Sequence, residues 1–262
     1  MPHPSGKVDA FRALHGSTFV LANAWDAGSA RILAGLGFPA LATSSGAHAG
    51  TLGRRDGQVT RDEALAHARA IVEATQLPVS ADFENCFADE PEAAAETVRL
   101  AAEVGLAGCS IEDAAAGKLY EFDLAVERVA AAARTKKLVL TARAENFLRG
   151  NPDLDDTIRR LKAYEKAGAD VLMAPGLPDL EAVRKVCAAL SKPFNFMAGI
   201  KGKSFSVAEL RAAGVKRVSL ATSLWRAAMS GLIEGAREVR EKGTFGYIER
   251  SLGTPDITKL MQ

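Results

Sequence analysis

The stretch VSADFENCFAD, residues 79–89, sets two carboxylates, Asp82 and Glu84, two positions apart where an apolar run gives out. Val79, Ala81 and Phe83 alternate with Ser80, Asp82 and Glu84, and in a strand that spacing turns both acids to one face. Like charges so placed repel unless something positive compensates them. Other apolar runs end the same way: Glu112 and Asp113 close GCSIED, and Arg143 and Glu145 close LVLTARAE. Asp56 lies in the loop LGRRDGQ, and Trp25, Asp26, Ser44, Ser45, Gly46, Asn195, Thr222 and Ser223 fall in or at the ends of the remaining runs. No histidine ends one. An acidic, all-oxygen set suits a hard cation, Mg²⁺ or Mn²⁺, rather than zinc. Asp82, Glu84 and Glu112, with Asp56 as a fourth, are therefore the candidate metal residues.

Plainer readings compete for single residues. Asp26 or Asp113 can simply cap the next helix or pair with a lysine. Arg143 is costly inside an apolar wall unless it meets an anion, which is either a ligand or one of the acids. His48, in a Gly/Ala loop, reads as solvated, and Cys86 as incidental because nothing adjacent depresses its pKa. Lys201 and Lys203 in AGIKGKSFS read as surface residues or as contacts to a substrate anion.

The elements that must position these residues follow from the pattern of apolar runs. Eight short runs rich in Val, Ile, Leu and Ala lie near 17–25, 38–46, 77–84, 106–113, 137–145, 169–175, 193–199 and 215–223. Such continuous runs fit strands buried on both faces of a parallel sheet. Helix-period stretches at 60–75, 89–105, 153–168 and 179–191 separate several of them, with Pro91, Asp153 and Asp179 suited to helix starts. GLGFPALATS, EVGLAGCSI, KAGADVLMA and AAGVKRVSL repeat one unit: a helix end, a glycine, then a strand. The expected architecture is an α/β fold, a single (β/α)8 TIM barrel over 1–262 with a C-terminal helical extension over about 224–262. An open doubly wound sheet is the alternative, and NAWDAGSA lacks the glycine fingerprint that would favour it. In a barrel the chemistry gathers at the strands' C-terminal ends, where the acids stand.

Composition removes other classes. Lys+Arg 33 against Asp+Glu 32 gives a net charge of +1, no electrostatic footprint for nucleic acid or an anionic membrane. MPHPSGKVDAF lacks the pattern of a secretion signal, and Cys86, Cys109 and Cys187 fit neither a disulfide framework nor a zinc site. A reducing cytoplasm is the expected compartment.

These residues together resemble the isocitrate lyase/phosphoenolpyruvate mutase superfamily, nearly end to end. NAWDAGSARILAGLGFPALATSS, LGRRDGQ, VSADFE, GCSIED, TARAENF and FNFMAGIKGKSFSVAELRAAGVKRVSLATSLWRAA carry the likeness. The resemblance implies that Asp82 ligates Mg²⁺ while Glu84, Glu112 and Asp56 hold its waters. It implies that Ser45 and the Gly46–Ala47 amides bind the carboxylate of a 2-oxo acid, with Trp25, Asp82 and Asn195 beside them and Arg143 closing on the substrate. Arg143, Asp56 and Glu112 are the expected catalytic residues. The implied chemistry is stabilisation of an enolate as a C–C or C–P bond breaks or forms. Two departures matter: IEDAAAGKLYEFD lacks the cysteine of the KKCGH-type loop of true lyases, and no histidine follows His67. Asn85–Cys86–Phe87–Ala88 also replaces the family's usual Gly-Tyr-Gly after the paired acids.

The leading expectation is an Mg²⁺-dependent lyase, decarboxylase or hydrolase acting on a small 2-oxo acid such as oxaloacetate. A phosphonopyruvate mutase or hydrolase, a phosphate-binding barrel using AGIKGKS and ATSLWRA, and a non-catalytic binding protein are the alternatives. The resemblance implies a homotetramer, a dimer of dimers with a swapped C-terminal helix, although that helix could equally pack on its own barrel.

Overall fold

Each apolar run becomes a short parallel strand in a computed structural model that describes residues 4–262. The first three residues of MPHPSGKVDAF, the stretch inspected for a secretion signal, lie outside the described residues. The barrel strands are β1 (Phe19–Asn23), β2 (Leu41–Ala42), β3 (Val79–Ala81) and β4 (Gly108–Glu112). A two-stranded hairpin, β5 (Ala114–Ala115) with β6 (Lys118–Leu119), follows β4. The barrel resumes with β7 (Val139–Arg143), β8 (Val171–Met173), β9 (Phe194–Met197) and β10 (Arg217–Ser219). It closes in the order β1-β10-β9-β8-β7-β4-β3-β2. Closure pairs Phe19 with Arg217 and Leu21 with Ser219, residues far apart in the chain. The TIM barrel expected from the sequence is the fold observed.

The helices start where the sequence provides caps. Asp26 caps α2 (Ala27–Gly35) with a capping box to Ser29. Ser44 caps α3 (Ser45–Thr51), and Thr60 opens α4 (Arg61–Ala74). Pro91 begins α5 (Pro91–Glu103), and α6 (Phe122–Ala133) follows the hairpin. Asp153 and Asp179 cap α7 (Leu154–Ala167) and α8 (Leu180–Ala189) as their positions predict. The four repeat glycines, Gly37, Gly105, Gly168 and Gly214, all have positive φ, the left-handed turn that ends a helix and launches a strand. After α9 (Val207–Ala212), α10 (Ser223–Lys242) runs 20 residues with only Gly235 buried. The short α11 (Thr254–Leu260) returns to α2, where the Leu260 carbonyl abuts Gly35.

The β5–β6 hairpin and α3 have no counterpart among the elements expected from the sequence, and neither does the first helix. α1 (Pro4–Leu14) closes the barrel's N-terminal end, with Phe11 fully buried and meeting His15 and Phe19 edge to face. A separate small core of Phe11, Phe19, Leu21, Ala40, Ala42, Ala107, Val139 and Val171 forms there. Among the described residues no helix is long and apolar enough to cross a membrane.

Two corrections concern the acids and the serines. β3 ends at Ala81, so Asp82 and Glu84 are not in a strand, and Glu84 has φ 50°. Their common direction therefore comes from a turn that includes Cys86 (φ 60°) and Phe87 (φ 58°), not from strand alternation. Ser45 and Gly46 begin a helix instead of ending a strand, because Ser44 caps α3 immediately after β2. A Cβ on Gly50 in α3 would lie 2.4 Å from the Trp225 ring on α10. Gly50→Ala is expected to cost about 1–3 kcal/mol in urea unfolding, because the indole has to move. An unchanged midpoint would show that α3 is not held against α10 in this way.

Candidate active site

The C-terminal mouth is organised around Arg143, the last residue of β7. Its Nη1 donates to Asp82 Oδ1 at 3.0 Å and pairs with Glu112 Oε1 at 2.8 Å. Its Nε and Nη2 reach Glu145 Oε1 at 2.9 and 2.8 Å. The first residues of α3 engage Asp82 from the other side: Ser45 Oγ and N donate to Oδ2 at 3.1 and 3.3 Å. Ser110 Oγ donates to Oδ1 at 3.2 Å, and Thr43 Oγ1 accepts the Asp82 amide at 2.9 Å. Arg149 follows a 3₁₀ turn, Asn146–Leu148, and its Nη2 returns to Glu112 Oε2 at 3.2 Å.

Two adjoining cavities open here. The inner one, about 280 Å³, is lined by Ser45, Asp56, Asp82, Glu112, Arg143 and Asn195 among others. The outer one, about 800 Å³, is lined by Asp56, Arg61, Glu84, Asn85, Glu112 and Arg149 among others. Burial and the nearby Asp56 and Asp82 push the Glu84 carboxyl up to about 7. Burial likewise raises Glu112 and Glu145, against the pull of Arg143. Burial alone would lower Arg143, but Glu112, Glu145 and Asp82 outweigh it and hold the guanidinium charged.

The donor set fits a hard cation of the water-retaining kind. Glu84 Oε1 is buried with no hydrogen-bond partner, which is an acceptor left for a ligand or its water. Among the described residues no three His, Cys, Asp or Glu side chains gather as a ready-made metal cluster. Arg143 stands between Asp82 and Glu112, so one direct carboxylate with others acting through water is the arrangement these residues can support. Magnesium commonly binds so.

The expected residues distribute unevenly. Asp56, Asp82, Glu84, Glu112, Arg143, Ser45 and Gly46 all line one or both cavities. A Cβ on Gly46 would be a tight fit, 3.2 Å from Asp56 Oδ2 and 3.1 Å from Thr222 Cγ2. The Ala47 amide, expected as a carboxylate donor, is directed at the Ser44 cap at 3.4 Å. Trp25 lines neither cavity; its carbonyl faces His67 Nε2 at 2.9 Å. Asn195 is fully buried inside the barrel, with Nδ2 on Ser219 Oγ (3.0 Å) and Oδ1 accepting from Arg217 Nε (2.9 Å).

The residues weighed for plain roles mostly take them. Asp26 is a helix cap, and Asp113 is buried against Arg160, Tyr164 and the Glu145 amide. Cys86 is fully buried, which pushes its thiol up to about 12. Lys203 donates to the Gly176 carbonyl at 3.1 Å. His48 is not the solvated residue expected: its ring stacks on His67 at 3.7 Å, with both nitrogens buried and unpartnered. Arg149 went unread because no periodicity marks it; only the turn after β7 brings it back over Glu112.

The family follows from comparison over the whole length. The model of the phosphoenolpyruvate phosphomutase family matches residues 11–240. The chain belongs to this family, within the PEP mutase/isocitrate lyase superfamily. A crystal structure of a candidate lyase/mutase from Burkholderia cenocepacia J2315 is 47% identical, with a TM-score of 0.94, covering 98% of this chain and 95% of that one. An uncharacterised protein of Mycobacterium tuberculosis (strain ATCC 25618 / H37Rv) is 33% identical over 237 residues, 88% of this chain and 89% of its own. The 2-methylisocitrate lyase of Escherichia coli (strain K12) is 28% identical over 217 residues, 77% of this chain and 73% of its own. This chain is thus an enzyme of the lyase or mutase type.

The raised Glu84 carboxyl gives a pH test. Its pKa is higher folded than unfolded, so its contribution favours the fold at acid pH and declines as pH rises through about 7. Glu84→Gln in metal-free buffer is expected to be about 1 kcal/mol more stable than wild type at pH 8, after allowance for solvent screening, and nearly equal to it at about pH 4, below the unfolded value. Urea midpoints at the two pH values check this; a pH-independent difference would contradict it.

Proposed function

We propose that this enzyme is Mg²⁺-dependent and acts on a small, oxaloacetate-like 2-oxo acid, cleaving a C–C bond as a lyase, decarboxylase or hydrolase. The observation that carries the reading is Asp82, held between Arg143 and Ser45 at the junction of three elements. Asp82 would ligate Mg²⁺ directly, with Glu84, Glu112 and Asp56 holding its waters. When bound, the ion supplies Lewis-acid stabilisation of negative charge on the substrate oxygens.

The chain's own groups supply the rest. Ser45 Oγ and the Gly46 amide are donors for the substrate carboxylate, and the missing Cβ of Gly46 lets Asp56 approach. Arg143, already charged by three carboxylates, offers its guanidinium to the oxygen on which charge grows. Glu112, raised by burial and touched by two arginines, faces both cavities from the end of β4. The hairpin β5–β6 edges the outer cavity through Ala114–Gly117 and narrows the approach.

The family match to phosphoenolpyruvate phosphomutase favours a second reading, a phosphonopyruvate mutase or hydrolase acting at a C–P bond. Purified protein assayed with Mg²⁺ on oxaloacetate and on phosphonopyruvate separates them. Turnover of the first is expected, with Asp82→Ala losing at least about 10³-fold in kcat/KM through lost charge stabilisation. Turnover of phosphonopyruvate alone would reverse the order, and an unaffected Asp82→Ala would remove the metal reading.

The same proposal includes a homotetramer. Exposed Leu232, Ile233 and Val239 on α10, with Phe245, Ile248 and Leu252 beyond it, form apolar surface of the kind oligomers bury. Light scattering is expected to give four times the 27.6 kDa chain mass. A monomer at micromolar concentration would contradict this.

A further inference from the structure

The interior of a (β/α)8 barrel is ordinarily filled by layers of large branched side chains. Here Ala42, Ser80, Ser110 and Ser219 share the lining with Leu21, Met173 and Met197, and one inner cavity of about 280 Å³ has both the acids of the mouth and Arg217 in its wall. That arginine is only 3% exposed. Its Nε donates to Asn195 Oδ1 at 2.9 Å and its Nη2 to Thr141 Oγ1 at 2.8 Å, while Nη1 is 3.5 Å from His15 Nε2.

Its surroundings differ from those of the other buried arginines. Arg143 and Arg160 are paired with carboxylates, and Arg128 donates to three loop carbonyls. Arg217 forms no ion pair among the described residues, and burial alone pulls its pKa down to about 9. His15 offers no negative charge either, since burial and Arg217 keep it neutral. A buried cation without a counter-charge is expensive, and this one lines a cavity that also holds the hydroxyls of Ser80, Ser110 and Ser219.

The spacing along β7 sets the depth of Arg217. Thr141, which accepts from Arg217, lies two residues below Arg143 on β7, about 6.6 Å along the strand. Arg217 therefore lies one layer below the mouth, within the same cavity as Ser45 and Asp82.

We propose that Arg217 is the floor of the substrate site and receives the second carboxylate of a linear four-carbon 2-oxo dicarboxylate, whose 2-oxo acid end lies at Ser45 and Asp82. This rests on the keto-acid reading of the mouth. The positive floor and the cation-binding mouth then hold a dianion at both ends, along the barrel axis. A monoacid of the same shape leaves Arg217 buried and unpaired, so the site discriminates by charge.

Calorimetry with Mg²⁺ tests this on two inert probes, malate and 2-hydroxy-4-methylpentanoate, which differ by a carboxylate against an isopropyl group. Wild type is expected to bind malate at least about tenfold more tightly, as for a charge-assisted contact. Arg217→Gln is expected to bring the two affinities within about twofold of each other. Ser80→Leu, which fills the void without touching Arg217, is expected to do the same, and keeps the test available should Arg217→Gln not fold. No malate preference in wild type would overturn the proposal. So would a preference that survives Arg217→Gln, or one lost in Arg149→Gln while Arg217→Gln retains it. Oxalate, which reaches only the mouth, is the control for the parent reading: its failure to bind wild type with Mg²⁺ would sink that reading, whereas oxalate binding without malate preference sinks this one alone.

Discussion

One guanidinium holds the mouth of this barrel together. Arg143 is almost wholly buried and touches Asp82, Glu112 and Glu145, which come from three different segments. Without it, three carboxylates would converge in a poorly solvated space, where their mutual repulsion is strong. With it, the acids stay close enough to act as one site, and the guanidinium stays charged through their combined field. The acids carry more negative charge than one arginine cancels, which leaves the site ready for a further cation. Burial acts against every charge there, so Glu84 and Glu112 are both raised.

The rest of the fold serves that cluster. β4 and β7 run in register from Gly108↔Val139 to Glu112↔Arg143, so one ion pair of the site is also the last rung of a ladder. Asp113 and Glu145 extend past those rungs and are tied together by the Glu145 amide, with Arg160 and Tyr164 of α7 anchoring Asp113 behind them. The loop after β3 is fixed from beneath by Arg128, which donates to the carbonyls of Asn85, Ala88 and Asp89. That anchor supports a run with Glu84, Cys86 and Phe87 all at positive φ, a conformation that costs free energy and persists only where neighbours enforce it. At the opposite end α1 closes the barrel, and Phe11, His15 and Phe19 close it with aromatic edges.

Family membership and fold do not by themselves name the substrate, and the surroundings of the acids have their own character in this chain. The short hairpin β5–β6 turns through Ala116 and Gly117, both at positive φ, as a two-residue hairpin requires. It places small alanines at the rim of the outer cavity. Arg149 adds a second arginine at the same rim. The hollow barrel interior adds depth that a filled barrel does not have.

What the amino-acid sequence determined by itself was everything with a local cause. Strand runs, caps such as Asp153 and Asp179, and the repeat glycines depend on a few adjacent residues, so the barrel and its acidic mouth could be read directly. That Asp56, Asp82, Glu84 and Glu112 meet at one mouth was legible too, although Asp82 and Glu84 lie past the end of β3, in a turn with positive φ and not in an alternating strand. Only the tertiary structure decided the partners. His48 meets His67, Arg149 returns to Glu112, Asn195 turns inward to Arg217, and Arg217 itself meets Thr141 and His15 without an acid. Those contacts exist because closing the barrel sets β1 against β10 and folds each loop over the mouth. A charge's cost depends on what surrounds it in space, and no spacing along the chain records that.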